Sequence, residues 1–438
     1  MSSYVSALSD LYRMMRSCYW PHAKLLQYQT RELRRIVRYS YDNIPYYHDS
    51  MRALDIRPDD IRTLKDLNRM PILRKNTIRA DIDGFISKEF SKDRLRVRST
   101  SGSTGHPLRI YLTPREDAFR KAKHLRANMS CGHRIRDRWV VVTSPSHLNE
   151  STGLQKRLGL YSPLFVSVFG STEQQLSRIQ ELQPEVLDGY SSSLYLLAKE
   201  AEKRGIEAVY PRMIFGGAEL ASDDSKRYVE KVFRAPFYDQ YATVELERIA
   251  WECKAKQGYH IDADAMILQL IDDNGDELSE GESGEMICTS LFNYAMPIIR
   301  YAVGDIGILS GEKCECGRTL PLLKTVEGRS ESLLILPDGR HISPRVFTNA
   351  VGLFELIDCV EQYSIVQKRV DLFEFIIHVK ENSMDRTVLA TKLLQHLEKT
   401  IQIDTSRVRF DVRFADSIPM DKGGKQKIVI SEISSLTA

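Results

Sequence analysis

No stretch of the 438 residues approaches the roughly 18 consecutive apolar positions that a membrane-spanning helix needs. The N-terminal run MSSYVSALSDLYRMMRSCYW lacks a basic region followed by an apolar core, so the expected location is the cytoplasm. Charge of one sign is missing too. With 62 basic against 59 acidic residues the net charge is +3, which gives no electrostatic case for nucleic acid or a membrane surface as partner. Seven cysteines, an odd number in a chain this long, argue against a disulfide framework and leave metal binding or simple burial as their uses. Internal repeats and low-complexity tracts are absent, and no Gly-Lys-Ser/Thr of a Walker A loop occurs in the one Ser/Gly-rich stretch.

What is present is organised. At roughly 150 residues per domain the length predicts two or three units. Leu25, Leu26, Leu33, Ile36, Val37 and Tyr41 keep a helical spacing that breaks at Asn43-Ile-Pro45. From about Leu95 to Ala302 short apolar strands such as Trp139–Thr143 and Met213–Phe215 alternate with helical stretches, the mark of an α/β layer architecture. Between Ile261 and Leu309 the turn signals Asp272-Asp-Asn-Gly-Asp276 and Gly281-Glu-Ser-Gly284 point to a β-rich subdomain. The last block has a β, α, β, β, α, β order with strands at Val360–Val366, Leu372–Val379 and Val408–Phe414 and a helix over about Arg386–Ile401. The expected fold is therefore α/β: a large N-terminal domain of several subdomains over residues 1–330, and a small α+β, ferredoxin-like domain over 331–438.

Two constellations carry chemistry. The stretch from Ser99 to Pro107 gathers hydroxyls at Ser99, Thr100, Ser101, Ser103 and Thr104 with glycines at Gly102 and Gly105. Glycines permit positive φ, which turns successive N–H groups inward, and such a nest with hydroxyl donors can hold a polyphosphate; an exposed hairpin turn has the same composition. The second is Cys253, His260, Cys314 and Cys316, a Cys3His set that fits a closed tetrahedral Zn2+ shell, set against a buried Cys253 beside an exposed Cys314/Cys316 turn.

The order of motifs resembles the adenylate-forming enzymes, the acyl- and aryl-CoA synthetases and their relatives. The Ser99 loop looks like their phosphate loop. Gly216, Gly217, Ala218 and Glu219 resemble the adenine-side turn, and Tyr241-Ala-Thr-Val-Glu245 the Tyr-Gly-x-Thr-Glu segment. Arg300-Tyr-Ala-Val-Gly-Asp305 resembles the ribose-binding motif, Glu327-Gly-Arg-Ser-Glu331 the hinge, and Gly423-Gly-Lys425 the site of the catalytic lysine. Length, the Asn43-Ile-Pro-Tyr-Tyr47 entry and Cys314-Glu-Cys-Gly-Arg318 place the likeness in the short branch with phenylacetate-CoA ligase and CapK-like proteins, over about Leu33 to Val429.

The resemblance implies ATP-dependent activation of a carboxylic acid to an acyl-adenylate, then acyl transfer to a thiol, with coenzyme A the expected acceptor. It implies Mg2+ on Glu245, ribose on Asp305, a nucleotide contact at Arg329, transition-state stabilisation by Lys425, nucleotide contacts at Tyr241, Ala242 and Thr243, and zinc on the Cys3His set. A homodimer is carried as a further expectation. Three departures stand out: Ala242 replaces the usual glycine, Val244 the usual hydroxyl residue and Glu331 the hinge aspartate. Ala242 and Val244 keep in view a nucleotide-binding homologue without catalysis, and no residue separates transfer to a thiol from the alternative of transfer to an amine or hydroxyl. The carboxylate pocket is expected near Trp139–Pro145, Asp188–Ser192 and Gly216–Ala218.

Overall fold

The computed structural model describes residues 2–99, 108–143, 151, 153–168, 172–206, 209–218, 221–329, 334–338, 341–342, 347, 350–351, 354–380, 384–401, 407–418 and 428–433. The chain divides into two compact units, one of Met1–Arg134 with Tyr238–Val326 and one of Ile135–Phe237 with Glu327–Ala438.

The first unit opens with helices α1 (Ser2–Ser17), α2 (His22–Asn43) and α3 (Pro45–Ala53). Along α2 Leu25, Glu32, Leu33, Ile36, Val37 and Ser40 are buried, which keeps most of the stripe seen in the sequence, but Leu26 is exposed and Tyr41 half-buried. Ile44 is extended because Pro45 follows it, so α2 ends there and proline starts α3. After the short helix α4 (Lys75–Ala80), strands β1 (Arg96–Ser99) and β2 (Arg109–Leu112) pair antiparallel, Ser99 opposite Arg109, as a turn between two strands requires. Residues 100–107 of that turn lie outside the described residues.

Helix α5 (Pro114–Cys131) starts on a capping box. Thr113 Oγ1 accepts from Glu116 N at 3.2 Å while Thr113 N donates to Glu116 Oε2 at 2.7 Å, and Pro114 fills the first helical position. It ends at Gly132, whose φ of 110° is the left-handed conformation a helix terminus favours in glycine. Leu11 and Met14 of α1 pack with Phe119 and Ala122 of α5 against Phe292.

The strands of this unit are β7 (Phe237–Thr243), β8 (Glu247–Glu252), β9 (Tyr259–Ile261), β10 (Met266–Ile271), β11 (Ser283–Ser290), β12 (Tyr301–Ser310) and β13 (Leu322–Arg329), in the sheet order β10-β11-β12-β13-β9-β8-β7. The β-rich texture expected after Ile261 is β10 to β12. The expected turn between β10 and β11 closes on Asp272, whose Oδ1 accepts from Asn274 N and Asp276 N, both at 2.9 Å.

In the second unit β3 (Trp139–Thr143), β4 (Leu164–Ser167), β5 (Val186–Tyr190) and β6 (Met213–Gly217) run parallel in the order β6-β5-β3-β4. Helices α6 (Gly153–Leu158), α7 (Thr172–Leu182), α8 (Ser191–Lys203) and α9 (Asp223–Phe233) alternate with them, and Val140, Val142, Leu187 and Ile214 bury against Leu176, Leu194, Leu197 and Val229. Nearer the C-terminus a hairpin of β14 (Leu334–Ile335) and β15 (His341–Ile342) precedes β16 (Val360–Arg369), β17 (Leu372–Val379), α10 (Arg386–Thr400), β18 (Arg409–Phe414) and β19 (Val429–Ser431). The sheet order is β18-β17-β16-β19, with β16 and β17 antiparallel and both outer pairs parallel. Phe347, Phe373, Phe375 and Phe410 pack beside Leu389, Leu393 and Leu397 of α10 as its core, with Phe347 stacked on Phe373. The fold is mixed α/β with large sheets, and no helix among the described residues is long and apolar enough to cross a membrane.

Candidate active site and metal cluster

Tyr241, Ala242 and Thr243 end β7, and Val244, Glu245 and Leu246 form the turn into β8. Thr243 pairs with Glu247 across this three-residue loop. A hairpin loop of this length usually sets its last residue in the left-handed region, a place for glycine. Here the left-handed residue comes one position later, at Glu247, the first residue of β8, with φ 64°. Thr243 Oγ1 accepts from Leu246 N at 3.2 Å and so fixes the turn from inside.

The turn presents Glu245, buried to 5% exposure. Its Oε1 accepts from the Tyr301 hydroxyl at 3.0 Å and lies 3.3 Å from the Lys75 ammonium. Tyr301 begins β12, and four residues on, Asp305 accepts from the Tyr241 hydroxyl at 2.5 Å. Four strand intervals separate β12 from β7 in the sheet order, about 19 Å if the sheet were flat at ~4.8 Å per strand. The two tyrosine contacts therefore require a sheet that curls strongly on itself, and they bring the Glu245 and Asp305 carboxylates to one mouth. Gly304, with φ 79°, supplies the backbone freedom next to Asp305.

Arg300, from the same segment, turns the other way. Its Nη1 donates to Met70 O at 2.5 Å and Asn68 O at 3.2 Å, so it anchors the chain ahead of α4. Ala242 is exposed, Tyr241 and Thr243 are half-buried, and Ser99 ends β1 exposed. In the second unit Gly216 and Gly217 end β6, and Ala218 follows with φ 66°. A Cβ at Gly216 would lie 2.0 Å from the Phe237 ring, so only glycine fits. Thr143, Tyr190 and Gly217 all close the carboxyl ends of parallel strands, where open α/β sheets bind ligands. The Thr143 hydroxyl donates to Tyr190 Oη at 3.3 Å. Arg329 is the last residue of β13. Thr100, Ser101, Gly102, Ser103, Thr104, Gly105, Glu219, Glu331 and Lys425 lie outside the described residues.

The sequence reading missed Lys75 and the role of Tyr301. Tyr301 stood inside the quoted Arg300–Asp305 segment and was open to notice. Lys75 meets Glu245 from 170 positions away, and nothing local marks it.

At the far end of β8 the second constellation comes together. The ligand atoms of Cys253, His260, Cys314 and Cys316 all lie within 4.8 Å of one another. Cys253 Sγ is 3.5 Å from Cys314 Sγ, and Cys316 Sγ is 3.2 Å from His260 Nε2. A disulfide would need ~2.05 Å. A tetrahedron with ~2.3 Å Zn–S and ~2.0 Å Zn–N bonds has edges of roughly 3.5–3.8 Å; these two contacts lie at or somewhat below that range, and the four ligand atoms together form a cluster that could hold a metal ion. Gly258 lets β8 turn into β9: its φ is 127°, and a Cβ there would lie 2.9 Å from Leu323 O. Burial pushes the Cys253 thiol up and the Cys314 thiol to about 12. For Cys316 burial is outweighed by hydrogen bonds from Arg318, and its thiol is held below the ordinary value. Burial, with the Arg318 charge, lowers His260 to about 4, so its imidazole is neutral and ready to donate a lone pair near pH 7.

No family model matches the chain. Phenylacetate-coenzyme A ligase of Thermus thermophilus is 28% identical over 371 residues, 82% of this chain and 83% of that protein. Protein CapK of Staphylococcus aureus is 24% identical over 93% of this chain and 90% of its own length. These likenesses support membership of the adenylate-forming superfamily. A crystal structure of 2-hydroxyisobutyryl-CoA ligase in the postadenylation state shares the superfamily's fold with it, at TM-score 0.80 and 18% identity over 94% of this chain and 90% of that one.

Proposed function

We propose that the protein is an ATP-dependent acid–thiol ligase. A carboxylate oxygen of the substrate attacks the α-phosphorus of ATP, pyrophosphate leaves, and an acyl-adenylate forms. The thiol of coenzyme A then attacks the acyl carbon, AMP leaves, and the thiol proton passes to solvent. The observation that carries this reading is the convergence of Glu245 and Asp305, joined to their tyrosines, at one mouth of the curled sheet.

The attack brings two anions together, so the site must supply positive charge and aimed donors. Glu245 is the residue that would hold Mg2+: its buried carboxylate already faces a cation, the Lys75 ammonium, which speaks for a cationic neighbour at that oxygen. A magnesium ion held by Glu245 would supply positive charge to offset that of the phosphates. Asp305, with Tyr241 orienting one oxygen, accepts from ribose hydroxyls. The loop from Thr100 to Gly105 surrounds the terminal phosphates, Gly216 to Glu219 line the adenine, and Lys425 stabilises the charge that develops between carboxylate and α-phosphate. Arg329 contacts the nucleotide ahead of a hinge at Glu331, about which a ferredoxin-like domain of 331–438 rotates between the two half-reactions. The Cys3His set holds a structural Zn2+ that ties β8 and β9 to the 314–316 turn.

A panel of aryl-acetic, benzoic and short acyl acids, with coenzyme A supplied or withheld, tests the reading through AMP and pyrophosphate release. Thioester formation with at least one acid is expected, and Lys425→Ala should abolish acyl-AMP formation while ATP still binds. A panel without AMP release, or a Lys425→Ala variant that exchanges pyrophosphate into ATP at the parent rate, would overturn it.

A further inference from the structure

Helix α5 carries charge where a helix of this kind normally carries apolar side chains. Arg120, Lys123 and Arg126 recur every third residue and are 4%, 0% and 0% exposed. Arg126 has carboxylate partners, Asp262 and Asp264. The other two spend hydrogen bonds on backbone. Arg120 Nη2 donates to Val244 O at 2.6 Å, and Lys123 Nζ donates to Leu246 O at 2.8 Å. These are the two carbonyls on either side of Glu245. Arg120 also reaches the Glu247 carboxylate at 3.4 Å, and His124 Nδ1 lies 3.6 Å from its other oxygen, so the residue in left-handed backbone is held by the same helix.

One helical turn earlier α5 grips the phosphate-loop hairpin. Asp117, 1% exposed, accepts from Arg96 at 2.5 Å and from Arg98 at 2.6 Å, both on β1 just before Ser99. From Asp117 to Lys123 the helix rises about 9 Å as one rigid body.

We propose that α5 is the spacer that fixes the Glu245 turn relative to strand β1, with Arg120 and Lys123 as positioning residues for the Glu245 carboxylate. Stability alone does not ask for this arrangement. A buried ammonium whose hydrogen bond goes to a neutral carbonyl keeps much of its desolvation penalty, and a methionine of similar length would pack there at lower cost. Two buried basic side chains on the carbonyls of Val244 and Leu246, however, hold the orientation of the residue between them, the kind of support that ligating carboxylates need. The inference rests on the reading of Glu245 as the residue that holds magnesium.

The test uses the full chain with α,β-methylene-ATP and Mn2+, the free ion being read by electron paramagnetic resonance. Lys123→Met and Arg120→Met should each weaken Mn2+ in the nucleotide complex by about tenfold, the scale of outer-shell support. Affinity for metal-free nucleotide should stay within about twofold, and a cooperative melt shows that the variant is folded. Arg120→Lys, which keeps charge but loses the planar fork, carries the same test if a methionine variant does not fold. Unchanged Mn2+ affinity in a folded variant, or an equal loss for metal-bound and metal-free nucleotide, overturns the positioning role. A parent protein that binds no Mn2+ beside the nucleotide instead overturns the reading of Glu245, and the inference falls with it.

Discussion

Strand β8 separates two sites of opposite chemistry, the Glu245 turn at its start and the Cys3His cluster just beyond its end. At the start a single buried carboxylate shares its oxygen with a tyrosine hydroxyl and a lysine ammonium. At the end four side chains from three separate segments converge within 4.8 Å. One protein oxygen cannot complete the shell of a hard, octahedral ion, so any ion there takes the rest from phosphate and water and comes and goes with the nucleotide. Three sulfurs and an imidazole complete a tetrahedron without help and leave no position for substrate. On the proposed function the same strand would thus carry an exchangeable site at one end and a permanent one at the other.

The sharpest way to break that contrast is to remove the oxygen. Glu245→Gln should lower turnover by on the order of 100-fold or more, the scale seen when one group aimed at transition-state charge is lost. Zinc content by elemental analysis should stay at the parent level. If zinc and turnover fall together, the two ends of β8 are one structural site and the contrast is wrong.

Next in size is the permanent end. Cys314→Ser should cost the protein its zinc, close to one ion per chain, and lower its melting temperature, because metal binding by a site absent from the unfolded chain is folding free energy. A brief chelator treatment should separate the sites in the other sense: turnover stops and returns on adding Mg2+, while zinc stays bound. Substoichiometric zinc that ignores substitution of both Cys253 and Cys314 would sink the assignment.

Much of this was open to reading from the sequence where the signal is local. The capping box at Thr113 and Glu116, the Asp272 turn and the strands and helix from Val360 to Phe414 are dictated by residues within a few positions of one another, and the structure has them. The Cys3His set was legible for a different reason: few residue types ligate soft metals, so even scattered ones can be counted together. Helix α5 was not. Its run of Arg, Lys and His reads as a solvated face, yet Arg120, Lys123 and Arg126 point inward, because the carbonyls and acids that receive them come from the 244–264 segment. Lys75 failed the same way. Charges buried by distant partners have no local signature, and here they surround the carboxylate at the centre of the site.

The smallest predicted effect probes how much of the contrast is geometry and how much is charge. Tyr301→Phe removes one neutral donor from Glu245 Oε1 and leaves Lys75 in place, so the carboxylate loses a hydrogen bond worth roughly 1–2 kcal/mol but no compensating cation. Apparent affinity for Mg2+·ATP should fall by about fivefold to thirtyfold on that scale, with turnover at saturating metal largely kept and zinc untouched. Titration of turnover against Mg2+ at fixed ATP measures it. A loss as large as that of Glu245→Gln would mean that the hydroxyl, and with it the curl of the sheet that delivers Tyr301 to Glu245, matters more than the carboxylate's charge.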